Sequence, residues 1–249
     1  MTTREPYLEY VEDRDFADGY RIYQQRYAET PRESDRALVE LVDRLVVDVE
    51  EPRVLDVGCS TGNLLRHLGR GVPAARLSGG DLMEAHLEEA RRDPALEGVS
   101  LRRMDLLDLG VEEAFDIVIA NAVIYLFDGE TLGNALSSIA TALRPGGAFV
   151  AFDFVHPFEQ ELAVHESSAT HPDGITLHMR SERTLDRAMA GAGLRLEEVN
   201  PFEIGIDLPP PGDPAETTSR TIATADGRRL LFRGTLFQPW AHIVARKAG

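Results

Sequence analysis

The sequence is poor in the residues that staple, anchor or address a chain. A single cysteine, Cys59, in 249 residues excludes an intrachain disulfide framework and any metal site built from several thiolates. No run approaches the roughly 18–20 apolar residues that a membrane span needs, so no membrane partner is expected. The opening stretch MTTREPYLEYVEDRD carries acids throughout and has no apolar leader core. A secretory signal is therefore not expected, and a cytoplasmic location is. Lysine is almost missing, with Lys247 alone among 26 basic residues. This reads as the arginine bias of a GC-rich genome, with a salt-adapted surface as the alternative. Forty-two acids give a formal charge of −16, and the arginines are scattered among them. Without a basic patch such a chain is repelled by phosphate backbones, so no nucleic acid is expected as a partner. Repeats of solenoid period and low-complexity tracts are also absent.

What is present is an alternation of short apolar strands with amphipathic helices, the pattern of an α/β fold with a largely parallel sheet. Residues 15–28 place Tyr20, Tyr23 and Tyr27 on one helical face. A second helix follows from Glu33 to about Asp48, with Leu38, Leu41, Val42, Leu45 and Val49 as its apolar stripe. Strands are expected at 54–57, 75–80, 99–104, 115–120, 148–154, 194–199 and 241–246. Helices are expected at 63–69, 83–92, 130–143 and 182–192. The fourth strand, FDIVIA, is nearly all apolar, as a strand covered on both faces should be. Arg144-Pro145-Gly146-Gly147 is a helix stop. Residues 155–180 give few signals and read as an insertion above the sheet. Residues 207–214 are a stiff proline-rich connector. Asp226-Gly227 marks a hairpin between 220–225 and 229–236.

The segment that carries chemistry is Val54-Leu55-Asp56-Val57-Gly58-Cys59-Ser60-Thr61-Gly62-Asn63, a strand feeding a small-residue turn and then a helix. Such a turn lets a ligand approach bare backbone at the C-terminal edge of a parallel sheet. A nicotinamide or flavin fingerprint would need glycines at 58, 60 and 63, where the chain has Gly, Ser and Asn. Small residues fall instead at 58, 60 and 62, two residues after an acid.

This segment resembles motif I of the class I S-adenosylmethionine-dependent methyltransferases, with Ser60 in place of the middle glycine. The resemblance continues in order through Gly79-Gly80-Asp81, Met104-Asp105-Leu106, Phe115-Asp116-Ile117-Val118 with Asn121, and Leu143-Arg144-Pro145-Gly146-Gly147. It covers about residues 36–154. It implies a Rossmann-like, mostly parallel seven-stranded sheet with helices on both faces, an antiparallel C-terminal strand and inserted cap and hairpin elements. It also implies S-adenosylmethionine as cofactor, S-adenosylhomocysteine as product, and no metal. Gly58, Ser60 and Gly62 would admit the cofactor close to the backbone, with Asp56 beneath the ammonium of its tail. Asp81 would accept both ribose hydroxyls, with Leu82 beside it, since only a carboxylate offers two acceptors and no donor. Asp105 and the amide of Leu106 would meet the adenine, and the carbonyl of Ala120 or Asn121 the ammonium. Each acid also has a structural alternative: Asp56 pairing within the fold, Asp81 capping the helix from Met83, and Asp105 closing its strand. Cys59 reads as a small filler.

Methyl transfer from a sulfonium mainly requires collinear reactants and exclusion of water. A general base helps when the acceptor is a hydroxyl or a protonated amine, and Asp153, His156 and Glu159 follow the fifth strand. His156 is the preferred candidate because its ordinary pKa suits the task; a loop histidine bonded to backbone is the alternative. His165, His171 and His178 match no zinc spacing. The expected organisation is one domain over 1–249, with a helical lid at 1–35 and acceptor-side insertions at 155–180 and 205–236. Tyr20, Tyr23, Arg26 and Tyr27 of the lid, and Trp240, are candidates to line the acceptor site or simply to pack. Such a cover suits a small-molecule acceptor. The expected activity is methyl transfer to oxygen or nitrogen, against a non-catalytic cofactor-binding partner or a nicotinamide-dependent oxidoreductase. Oligomeric state is not legible.

Overall fold

The computed structural model describes residues 27–168, 171–213 and 219–249. The first described helix, α1 (Glu33–Leu45), carries Glu33 and Asp35 in its first turn and Arg44 in its last. Those charges oppose the helix dipole at both ends. Leu38, Leu41 and Val42 of its stripe are buried. Strands β1 (Arg53–Val57), β2 (Arg76–Asp81), β3 (Ser100–Arg103), β4 (Phe115–Asn121) and β5 (Leu143–His156) alternate with α2 (Asn63–Gly71), α3 (Glu84–Arg91) and α4 (Gly129–Ala142). The hairpin β6 (Leu162–Ser168) and β7 (His171–Ser181) follows, then α5 (Glu182–Gly191) and β8 (Leu194–Pro201). The chain continues through β9 (Ser219–Ala223), β10 (Arg229–Arg233), β11 (Leu236–Phe237) and β12 (Trp240–Lys247).

The main path of the sheet runs β3-β2-β1-β4-β5-β12-β8. Pairing is parallel from β3 to β5, whereas β12 lies antiparallel to both of its neighbours. This is the seven-stranded, mostly parallel arrangement expected from the sequence. Strand order reverses between β1 and β4, and a crevice for a ligand opens at such a point, outside the carboxyl ends of the strands.

Both faces of the sheet are covered, which explains the apolar run of β4. Ile117 and Ile119 pack with Leu38 and Val42 of α1 and with Leu64 and Leu68 of α2. Val118 and Ala120 point the other way, into a cluster with Leu132, Leu136 and Ile139 of α4 and Leu185 and Met189 of α5. Two helices are capped by side chains: Asp128 accepts from Thr131 N (2.8 Å) before α4, and Ser181 Oγ from Thr184 N (3.2 Å) before α5.

Three features differ from the sequence reading. Strand β5 begins at Leu143 and its ladder with β4 jumps from Phe115↔Leu143 to Ile117↔Ala148, so Arg-Pro-Gly-Gly bulges out of the strand. The strand also continues past Phe154 to His156, because β7 pairs with it at Val155↔Arg180 and His156↔Ser181. Residues 155–180, weak in sequence signals, contain the β6–β7 hairpin. The Asp226-Gly227 turn does join β9 to β10, with Gly227 at φ +84, and β11 completes a separate three-stranded sheet.

Candidate functional site

The crevice at the ends of β1 and β4 is built around the turn after β1. Gly58 and Gly62 have φ of +77 and +85, where an L side chain is strained. A Cβ on Gly58 would stand 2.7 Å from Val123 Cγ2, and one on Gly62 would stand 2.4 Å from Leu96 Cδ1. The glycines are thus required by the turn's backbone and by packing on protein. The amides of Gly58 and Cys59 both donate to Gly80 O (2.8 and 3.0 Å), and Gly62 N donates to Cys59 O (2.9 Å). Ser60, at φ +49, donates its amide to Asp81 Oδ2 (2.8 Å), and its buried hydroxyl has no partner among the described residues. Cys59 is buried, and burial together with Asp56 and Asp81 pushes its thiol up, which agrees with a filler and not a nucleophile.

Asp81 does more than either sequence reading supposed. Its Oδ1 accepts from Met83 N (2.8 Å) while Oδ2 holds Ser60, so one carboxylate ties the turn after β1 to the start of α3. The helix itself begins at Glu84, and its N-cap position is Met83. Each oxygen keeps a second acceptor direction.

Asp56 is 2% exposed, and its Oδ1 has no hydrogen-bond partner among the described residues. Burial first, and then the neighbouring Asp35 and Asp81, push its carboxyl up to about 8, against the pull of Arg32. Arg32 is engaged with Asp35, donating through Nε (2.8 Å) and Nη2 (3.0 Å). Asn121 Nδ2 also donates to Asp35 Oδ1 (3.2 Å), which links α1 to the end of β4. Sequence reasoning missed Arg32 and Asp35, because the full burial of Asp35 is visible only in three dimensions. The edge therefore gathers three acids against one guanidinium. Such a balance suits a cation and repels an anion.

On the other side of β2, Asp105 is half-buried and accepts from Leu107 N (2.9 Å). The Leu106 side chain is buried in the core, so only its backbone can serve a ligand. Leu82 is half-buried, and its carbonyl accepts from Arg103 Nε (3.1 Å).

A family model described as a methyltransferase domain matches residues 54–147, the span from β1 to the bulge in β5. Residues 54–147 thus carry a methyltransferase domain, as the resemblance to the class I S-adenosylmethionine-dependent methyltransferases implies. A malonyl-[acyl-carrier protein] O-methyltransferase of Priestia megaterium is 29% identical over 126 residues, 51% of this chain and 45% of that one. A release factor glutamine methyltransferase of Deinococcus radiodurans is 33% identical over 183 residues, 72% of this chain and 64% of that one. The chain thus spans about half to two thirds of these two relatives. Among solved structures, the 1,6-didemethyltoxoflavin-N1-methyltransferase of Burkholderia thailandensis, with S-adenosylhomocysteine bound, superimposes with a TM-score of 0.61. It covers 100% of this chain and 93% of its own at 16% identity, which shows a shared fold.

A second cluster of interest lies beyond β4 and β5. Tyr125 sits on the short 3₁₀ turn Ile124–Leu126, four residues past Asn121. Its ring meets Phe154 (5.1 Å) and Trp240 edge-on (5.7 Å, 85°). Trp240 stacks on Phe152 (4.6 Å, 8°) and packs on Phe154 (4.1 Å). Tyr125 and Trp240 are both half-buried, while Phe152 and Phe154 are buried behind them. Ile175, Leu177 and Met179 of β7, with Leu236 of β11, pack around Phe154. An Arg233–Glu166 ion pair (3.0 Å) ties β10 to the β6–β7 hairpin. Tyr125 was not singled out from sequence because nothing in its neighbours marks it.

The base candidates separate. Asp153 is 1% exposed and accepts from Phe154 N (2.8 Å) and Tyr125 N (3.0 Å), and burial pushes it up to about 7. Opposite it, buried Arg180 of β7 donates to the carbonyls of Ile124 (3.2 Å) and Phe127. Asp153 and Arg180 thus grip the Tyr125 turn from its amide and carbonyl sides. Glu159 is exposed and paired with Arg183. His156 is 9% exposed, and neither ring nitrogen has a partner among the described residues. It lies near Glu161, whose Oε1 accepts from Ser181 Oγ (2.6 Å) and Thr184 Oγ1 (2.7 Å). Phe152 is level with Asn121 in the ladder, so His156 stands about 13 Å farther along the strand. The structure does not bring it together with Asp56 and Asp81.

Tyr20, Tyr23 and Arg26 lie outside the described residues. Tyr27 is half-buried, its carbonyl meets His67 Nε2 (3.0 Å), and Arg32 lies over its ring (5.8 Å). Among the described residues no helix is long and apolar enough to cross a membrane, and no cluster of three or more His, Cys, Asp or Glu is arranged for a metal.

Proposed function

We propose that the protein transfers a methyl group from S-adenosylmethionine to an oxygen or nitrogen of a small-molecule acceptor by in-line displacement. The observation that carries this reading is the acidic edge after β1, where a buried carboxylate oxygen of Asp56 has no partner among the described residues and the nearby cation, Arg32, is engaged by Asp35. An ammonium-bearing, positively charged cofactor fits such a site. A pyrophosphate does not: the amides of Gly58, Cys59, Ser60 and Gly62 are spent within the fold, so an anion would meet acids where it needs donors. This weighs against a nicotinamide-dependent oxidoreductase.

When bound, the cofactor supplies a methyl group already activated on a sulfonium. Asp56 holds the ammonium of the tail and Asp81 the ribose hydroxyls, with Leu82 alongside. Asp105 and the Leu106 amide take the adenine, and the backbone at Asn121 faces the tail. Tyr125 and Trp240 form the aromatic wall toward the acceptor. The β6–β7 hairpin and the β9–β11 sheet cover that wall, which supports a small acceptor over a polymer, as does the charge of −16. A protein-borne acceptor is the second reading, favoured by the names of the two sequence relatives.

Transfer of labelled methyl from S-adenosylmethionine to a metabolite library, beside calorimetry with S-adenosylhomocysteine, tests the reading. Binding with no transfer to any small molecule or carrier protein would leave a non-catalytic partner. His156 is assigned as general base because its ring is buried and neither ring nitrogen has a hydrogen-bond partner among the described residues. Its distance along the strand requires the acceptor, or a water, to bridge to it. His156→Ala is expected to lower kcat by about 100-fold with S-adenosylhomocysteine affinity unchanged; intact turnover removes the role.

A further inference from the structure

We infer that Asp56 makes cofactor binding proton-linked: it is protonated in the free protein and releases that proton to solvent when an ammonium docks beside it. The inference rests on the cofactor reading above and goes beyond it. Its basis is the packing of charge around one carboxyl. Asp56 pairs with Gly79 on β2 and Ile119 on β4, both without a polar side chain to offer it. From α1 it faces Asp35, 0% exposed, and Arg32, which Asp35 already engages through two hydrogen bonds. From the end of β2 it faces Asp81, whose far side meets His86 (3.6 Å), and from the turn it faces the buried thiol of Cys59. A carboxylate that is buried, flanked by two acids and left with one oxygen unpartnered among the described residues is disfavoured as an anion. The neutral acid is the form the fold holds, in line with the upward shift to about 8.

The exchange balances without a co-reactant. The Asp56 carboxyl O–H bond breaks, its electron pair stays on the carboxylate, and the proton passes to buffer. The incoming ammonium keeps its own protons and supplies the compensating charge. Affinity should therefore rise about tenfold per pH unit below the carboxyl's pKa. It should level off near pH 8, where a free α-ammonium begins to lose its own proton.

The test is calorimetry of S-adenosylhomocysteine into the full chain, stripped of carried-over ligand, at pH 6.5 in two buffers of different ionisation enthalpy. Close to one proton released per ligand is expected, with Kd about tenfold tighter at pH 7 than at pH 6. 5′-Methylthioadenosine, which lacks the ammonium, should release none. Asp56→Asn, a near-isostere of the neutral acid, should bind S-adenosylhomocysteine with no proton released. Equal heats in both buffers, or release that persists in Asp56→Asn, overturns the proposal while leaving the cofactor reading in place. Absence of binding heat from S-adenosylhomocysteine at either pH overturns both. The pH dependence of Kd in the unmodified chain keeps the test decisive should the variant fail to fold.

Discussion

Asp81→Ala is expected to weaken S-adenosylhomocysteine binding by on the order of 100-fold, equivalent to ~3 kcal/mol. Two losses combine. The ribose hydroxyls lose their acceptor, and the amides of Ser60 and Met83 lose theirs, which frees the turn from α3. Asp81→Asn keeps one acceptor oxygen and should fall between the two. Calorimetry on both variants, with circular dichroism to confirm folding, makes the measurement. Affinity unchanged in Asp81→Ala would remove the ribose assignment and leave Asp81 as a brace between β1 and α3.

Arg180→Met is expected to cost about 3 kcal/mol of stability, because it leaves a buried acid without its counter-charge. For a chain of this size that is a fall in Tm of roughly 6–12 °C. The carbonyls of Ile124 and Phe127 lose their donor in the same substitution. The deficit should depend on pH in a definite sense. Burial raises Asp153 to about 7 in the folded chain, so the native state holds a proton that the unfolded chain gives up from about pH 4. Stability falls as pH rises through that window. Without Arg180 the carboxyl moves higher still and the window widens, so the variant's deficit should be smaller at pH 5.5 than at pH 8. Adding Asp153→Asn to Arg180→Met should recover part of the loss. Equal Tm for Arg180→Met and the unmodified chain at pH 8 would show that the pair does not hold the turn.

The parallel half of the fold was legible because its central strands are apolar runs and its links are periodic helices, as in FDIVIA of β4 and the stripe of α1. Local order sufficed there. The turn at 58–62 was legible as well, since glycine at positive φ leaves a mark in the sequence. What escaped was decided by contacts between distant segments. The β6–β7 hairpin carries histidines, serines and glutamate where alternation would have announced it, and it forms by pairing onto an extended β5. Asp35 looked like one more acid in a first helical turn, yet Arg32 and Asn121 bury it against β4. Tyr125 became a candidate only when Trp240, more than a hundred residues later, arrived at its ring edge. The choice among Asp153, His156 and Glu159 also turned on burial and partners, which spacing alone does not carry.

Strand β12 is the last strand in the sequence, yet it lies between β5 and β8. Without it both of those strands would present open hydrogen-bonding edges, and the interior would lack Ala241, Ile243 and Ala245. β12 therefore covers the hydrogen-bonding edges of both β5 and β8, and through it β8 joins the sheet.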